Sequence, residues 1–415
     1  MSNSLSNHLS PALLPLPAFP AWQQAGSSFK ARALLYSQDI YKLWDNALQF
    51  TREVGVDQID QAQAAPQAMV ALTQSRTGLL AQEVVLVKQR ARQAVMAMRT
   101  LDRGVRLVSW RVNADGSLLR TGSSSLQLTG VEQIKLVHAR NYVVACRTEN
   151  GEVHLSRWDV SNTGAIYLAG HHQRVTQQIQ WLEMAVLTPE LIVTLGLTST
   201  QTWQVMLWQL QGESDLQLLH TYEIPAAAVT SCGLAVLPGR DGALRWATVL
   251  SETPTTLALH LWQYTPGAGI TLLATQRVPT LAMAAVMIAH VDRHYLQVVV
   301  QSVTGQLNLF TCRLGADAQL VVSDHGVMLG EASRQCACQP HPAGFTLLSH
   351  TLTGELQVQK WQQQPDGTLL LLGAGQGAAT PLAEITCCDA ALEGNAPLLT
   401  GLIDDQGEVI LTTWR

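Results

Sequence analysis

Residues 131–169 read VEQIKLVHARNYVVACRTENGEVHLSRWDVSNTGAIYLA, and the punctuation of this stretch decides the fold. Val131 to His138, Tyr142 to Arg147, Val153 to Trp158 and Ala165 to Ala169 are four short apolar or alternating runs. Asn150-Gly151 separates the second run from the third, and Asn162-Thr163-Gly164 separates the third from the fourth. Glycine reaches the positive φ of a tight hairpin at little cost, so these breaks mark turns between antiparallel strands. The unit is a four-stranded meander whose third strand ends on tryptophan.

That unit recurs. Trp110, Trp158, Trp208, Trp262, Cys312, Trp361 and Trp414 close equivalent strands, at spacings of 48, 50, 54, 50, 49 and 53 residues. A period of this size signals a radially repeated β-structure. Arg103-Gly104, Thr304-Gly305, Thr353-Gly354 and Gln406-Gly407 take the place of Asn150-Gly151, and Asp115-Gly116 and Asp366-Gly367 take that of the second turn. The expected fold is all-β: a seven-bladed β-propeller of four-stranded antiparallel blades over residues 68–415. Trp414 ends the third strand of the last repeat, so an open edge is expected there. An N-terminal strand, Ala68 to Thr73 or, less favourably, Ala31 to Tyr36, is expected to close it.

Residues 1–67 do not follow the repeat. Ser10 to Trp22 is apolar and proline-rich, which suggests an extended segment, and Ile40, Leu43, Trp44, Ala47, Leu48 and Val54 mark one face of a helix over about 38–54. This N-terminal arm is expected to pack on the propeller, or alternatively on a partner or second copy.

Composition narrows the function classes. The chain has 415 residues, 47% hydrophobic and 14% charged, with a net charge of −5. Its 26 basic residues form no run, which disfavours a nucleic-acid surface. The start lacks the basic and apolar regions of a secretory signal, and no apolar stretch is long enough to span a bilayer. Seven scattered cysteines read as a reducing compartment, hence a cytoplasmic protein. The pattern shows no Gly-x-Ser-x-Gly elbow, P-loop or dinucleotide fingerprint, and no cofactor is expected.

Loops at the end of the ring that carries the second-to-third strand turns and the crossings between blades offer the candidate binding residues: Glu149, His171, His172, Arg174, Asp324, His325, Asp404 and Asp405. A metal could be held by His171 or His172 with His325 and a carboxylate, but no His-x-x-x-His spacing recurs and solvated histidines are the plainer reading. The Asp404-Asp405 turn reads as a solvated hairpin. Cys232, Cys336, Cys338, Cys387 and Cys388 fall on innermost strands, where small side chains suit a crowded axis. The tryptophans are expected to pack between blades, each N–H finding a carbonyl.

The repeat resembles the broad class of seven-bladed β-propellers, in the manner of WD40-like proteins, and has the bacterial-looking form Leu-x-x-Trp-x-Val-x-x-x-Gly at Leu107 to Gly116 and Leu155 to Gly164. It departs from true WD40 repeats, since Trp158-Asp159 is the only Trp-Asp pair and the Gly-His half is missing. The resemblance implies a rigid platform and no activity. The expected function is a non-catalytic binding scaffold that presents loops to a protein, peptide or small ligand at the channel mouth. The alternatives are a lyase or hydrolase, metal-assisted or not, with a site at that mouth, and a multivalent carbohydrate-binding propeller.

Overall fold

A four-stranded meander with apolar residues on both faces cannot bury itself, so it must stack its faces against like units. The computed structural model describes residues 66–90, 92–173, 178–212, 215–225, 231–240, 243–292, 294–315, 319–322, 327–341, 344–364, 368–377, 382–388 and 397–415. The chain divides into two units, one of Met1–Pro66 with Val327–Gly330 and one of Gln67–Gly326 with Glu331–Arg415. In the first, Val327–Met328 is extended. The expected helix over 38–54 and the alternative strand at Ala31 to Tyr36 lie outside the described residues.

The second unit is a β-propeller. The residues read as one blade form Val131–His138, Tyr142–Thr148, Val153–Val160 and Ile166–Gln173, paired in that order. Ile179–Thr188 to Asp215–Pro225, Cys232–Arg240 to Gly269–Pro279, Met283–Val291 to Leu320–Val322, and Ser333–His341 to Leu369–Gly377 make four more such meanders. The last of them gains the short strand Gln67–Ala68, parallel to Leu369–Gly377. A sixth sheet has seven strands, in the order Leu382–Cys388, Leu398–Asp404, Glu408–Trp414, Ala71–Arg90, Gln93–Thr100, Val105–Val112, Leu118–Leu126.

This corrects the expectation of seven separate blades: five are separate, and the blades expected first and last share one sheet. The reason is Ala71–Arg90, which spans 20 residues and serves two ladders. Ala71 to Leu80 pairs with Trp414 to Glu408, and Ala81 to Arg90 pairs with Thr100 to Gln93. The expected N-terminal strand on Glu408–Trp414 is therefore present, begins at Ala71 rather than Ala68, and runs straight on into an innermost strand. The innermost strands adjoin one another in sequence and return to Ala71–Arg90, which makes a ring.

The core lies between neighbouring blades. Val95, Ala97 and Leu107 pack with Ile134, Tyr142 and Val144, and Leu86, Met96 and Trp110 pack with Leu399 and Leu411. Trp158, Trp208 and Trp262 are wholly buried.

Hydrogen bonds fasten each blade to the next. The carbonyls of Arg103, Gly151, Gly305 and Gly407, in the second-to-third strand turns, accept N–H bonds of 2.8–2.9 Å from Val131, Ile179, Ser333 and Ala81 at the start of the following innermost strand. A Cβ on Gly151 would come within 2.7 Å of Gln178 Cα, so this turn needs glycine for clearance as well as for its φ of 74°. Arg103 takes the same place at φ 58°, so the left-handed residue of that turn is Arg103 and not the expected Gly104. At the opposite end of the blades the residue before the tryptophan does the fastening. Thr413 Oγ1 donates to Gly116 O at 2.8 Å, Ser109 Oγ donates to Gly164 O, and the wholly buried Arg157 reaches Gln211 O and Asp215 O at 3.0 Å.

Candidate functional site

Two places among the described residues carry chemistry. The first is centred on the innermost strands. Each innermost strand of the first three repeats has a register shift after its first residue, between Ala81 and Glu83, Val131 and Gln133, and Ile179 and Trp181. The shift re-aims the next side chain toward the following strand. Glu83 Oε2 accepts from Ile134 N–H at 3.0 Å, and Gln133 brackets Leu182, accepting its N–H at 2.9 Å and donating to its carbonyl at 3.0 Å.

Arg99 Nε lies 3.4 Å from Glu83 Oε2, and Lys135 Nζ donates to Glu183 Oε1 at 2.7 Å. Burial pushes the Glu83 carboxyl up, against the pull of Lys135 and Arg99. For Lys135 burial works downward, yet pairing with Glu183 prevails and its ammonium is raised. Burial, with Glu183 beside it, holds the Cys232 thiol well above its ordinary value. Lys135 and Cys232 are thus both protonated at neutral pH, and neither is a ready nucleophile. Two cations face two carboxylates, so their charges cancel. The sequence signal for this network was a polar residue interrupting an apolar innermost strand, at Glu83, Gln133, Lys135 and Glu183.

The residues expected at the loop face take separate duties. Glu149 forms an exposed ion pair with Arg103 at 3.0 Å, joining the turns of two neighbouring blades. His171 is exposed, its ring stacked at 5.5 Å on that of His154. His172 lies on the outer strand opposite Leu155. Asp404 is not the solvated hairpin expected. It is 5% exposed, its Oδ1 accepts from Gln406 and Glu408 N–H at 3.0 and 2.8 Å, and Arg76 Nη1 donates to its Oδ2 at 3.2 Å. Asp405 is exposed. Arg174, Asp324 and His325 lie outside the described residues. Among the described residues no group of three or more His, Cys, Asp or Glu is placed to hold a metal ion.

The second place is a cavity of about 160 Å³ at the opposite end of the blades, lined by Arg92, Gln93, Trp110, Arg111, Thr121, Asn162, Thr163 and Gly164. Arg92 precedes the second strand of the first repeat, and Arg111 is the cross-strand partner of Gln93. Asn162 to Gly164 is the third-to-fourth strand turn of the next blade. Arg92 and Arg111 are exposed and form no ion pair among the described residues. Trp110 is 5% exposed, and its indole N–H has no acceptor among them. The sequence reading missed this cavity because its walls come from residues about fifty positions apart and its arginines form no run.

The chain is similar in structure to BBS1N, in a crystal structure of BBS1N in complex with ARL6DN. The match has a TM-score of 0.52 and 10% sequence identity, and covers 84% of this chain and 98% of that one. At that identity the likeness shows the fold alone, a β-propeller. No known protein family matches the chain, and no curated protein does.

Proposed function

We propose that this chain is a non-catalytic propeller that binds a protein partner, one of the ligand classes the sequence reading allowed beside a peptide or small ligand, but through the end of the blades opposite to the one expected. The observation that carries this is the contrast between the two places: the charges on the innermost strands are matched, while Arg92 and Arg111 stand exposed at a cavity between blades with no ion pair among the described residues. An exposed charge cluster without internal partners offers recognition to a complementary surface. The fold it shares with BBS1N, a propeller whose crystal structure contains a protein partner, supports the same reading. The carbohydrate alternative lacks its aromatic surface, because Trp158, Trp208, Trp262, Trp361 and Trp414 are at most 1% exposed. The thiols of Cys146, Cys232, Cys312 and Cys336 are in no disulfide among the described residues, which fits a reducing compartment such as the cytoplasm.

The test is native mass spectrometry of protein purified gently from its own source, followed by cross-linking. A stoichiometric protein partner is expected. A stoichiometric metal or small molecule, with a turnover that disappears in a folded Lys135→Met variant, would overturn the reading in favour of an enzyme at the channel.

A further inference from the structure

We propose that the cavity between Arg92, Arg111 and the turn Asn162 to Gly164 is the docking site for a carboxylate-bearing peptide segment of a protein partner; this rests on the protein-binding reading above. The walls carry donors, and two of their backbone carbonyls are already engaged. Gly164 O already accepts from Ser109 Oγ, Arg92 O accepts from Val112 N–H at 2.9 Å, and Thr121 Oγ1 is bonded to Ser109 Oγ at 2.9 Å. The donors include two guanidinium groups and the buried indole N–H of Trp110, which has no acceptor among the described residues. A planar guanidinium matches a planar carboxylate, to which it can donate two parallel bonds.

Local charge agrees. Between residues 76 and 126 the basic residues are Arg76, Lys88, Arg90, Arg92, Arg99, Arg103, Arg106, Arg111 and Arg120, against Glu83, Asp102 and Asp115. Nine minus three leaves +6 in a chain whose net charge is −5. Arg76, Arg99 and Arg103 are already paired, with Asp404, Glu83 and Glu149, so the charge left at the cavity is that of Arg92 and Arg111, which suits a short acidic segment and not an extended polyanion.

Size and surroundings point to a side chain carried on a peptide. At about 160 Å³ the cavity is well below the roughly 300–1,000 Å³ of cofactor and drug-sized sites. Leu119, the cross-strand partner of Arg111, is 52% exposed, and Tyr167, just past the turn Asn162 to Gly164, is 61% exposed. A charged hollow on strands that also carry exposed apolar residues fits an acidic side chain with apolar neighbours. A free inorganic anion would use the hollow and ignore the flanks.

The experiment labels the full chain with 5-fluorotryptophan and titrates it with acetyl-Leu-Asp-Glu-Asp-Leu-amide, with its Leu-Asn-Gln-Asn-Leu counterpart, and with sodium phosphate, following fluorine resonances. Trp110→Phe assigns the reporting signal. The acidic peptide is expected to shift the Trp110 resonance, the amide peptide to leave it in place, and phosphate to act only at much higher concentration. Arg92→Gln and Arg111→Gln are each expected to weaken the acidic peptide about tenfold, while Arg277→Gln, whose arginine is paired with Glu252 in another blade, leaves it unchanged. Near-UV circular dichroism checks that each variant is folded. Equal binding of the two peptides, indifference to both arginine substitutions, or phosphate binding as tight as the peptide's would overturn the inference. A co-purifying protein that cross-links elsewhere, with no peptide effect, sinks this site and leaves the protein-binding reading standing. Peptide binding here without any co-purifying protein does the reverse.

Discussion

Trp262 and Trp110 close equivalent strands, yet only one of their indole N–H groups has an acceptor. Trp208, Trp262 and Trp414 donate to Thr194, Thr248 and Thr400, each fourteen residues earlier on the second strand, at 2.9–3.0 Å. Where that place is apolar, a residue two before the tryptophan steps in: Ser156 for Trp158 and Gln359 for Trp361. For Trp110 both places are apolar, Met96 and Val108. The tryptophans and their burial were legible from the period, but their partners were expected to be carbonyls and are side chains instead. The partner's identity depends on cross-strand register, which spacing alone does not give. Thr248→Val keeps the shape but strands a buried N–H, and is expected to lower unfolding free energy by about 1–3 kcal/mol in urea titrations. His260 makes a second prediction. Burial, 7% exposed, pulls its imidazole down to about 4, with Glu252 opposing. Between that value and 6.5 the unfolded chain binds more protons than the folded one, so the contribution of neutral His260 is complete above pH 6.5 and is lost as pH falls toward 4. Glu83, raised by burial, acts in the opposite sense, so the difference between wild type and His260→Gln isolates the histidine. The variant is expected to flatten the slope of stability against pH between 7 and 4 by up to about 3 kcal/mol.

At the scale of the element, the turn between second and third strands is a repeated device. A hydroxyl or carboxylate at its start accepts the N–H four residues on: Thr100 to Gly104, Thr198 to Thr202, Ser302 to Gln306, Thr351 to Glu355 and Asp404 to Glu408, at 2.8–3.1 Å. Asp404 therefore belongs to a series whose other members are Ser and Thr, a signal present in the sequence that a search for acidic binding residues passes over. The glycines were legible because positive φ is written in residue type, whereas their contact with the next strand was not. Gly151 and Gly354 separate the two demands. Both have positive φ, but a Cβ at Gly354 meets nothing within 4 Å, while at Gly151 it strikes the backbone of Gln178 and Ile179. Gly354→Ala is expected to cost about 1 kcal/mol, the left-handed penalty alone, and Gly151→Ala at least about twice that, since the bond from Ile179 N–H to Gly151 O must give way too. Thermal melts of the two variants, measured side by side, check this; equal losses would mean that the contact between blades carries no weight.

For the whole molecule, periodicity located the strands of the blade at Val131 to Ala169 to within a few positions and the third-strand ends of the other repeats, because the turns and the tryptophans are local features. It did not foresee that two predicted blades would share one strand, because the continuity of Ala71–Arg90 rests on the run from Gln74 to Leu80 bridging a gap that composition shows as polar. Deleting residues 71–77 is expected to leave Glu408–Trp414 as a bare edge, so the protein should self-associate, seen as a shift to larger size in gel filtration. A monomer of unchanged stability would show that the shared strand is dispensable. The shared strand also sets an order of events in biosynthesis. Five meanders are local in sequence and can form as they emerge from the ribosome, but Ala71 meets Trp414 across 343 residues. Closing a chain of that length costs about 3 kcal/mol more entropy than closing a ten-residue hairpin. Until residue 414 has been made, Ala71 to Leu80 and Leu398–Asp404 both wait with open edges, and the nascent chain passes through a window in which a chaperone or a neighbouring chain can claim them before the ring does.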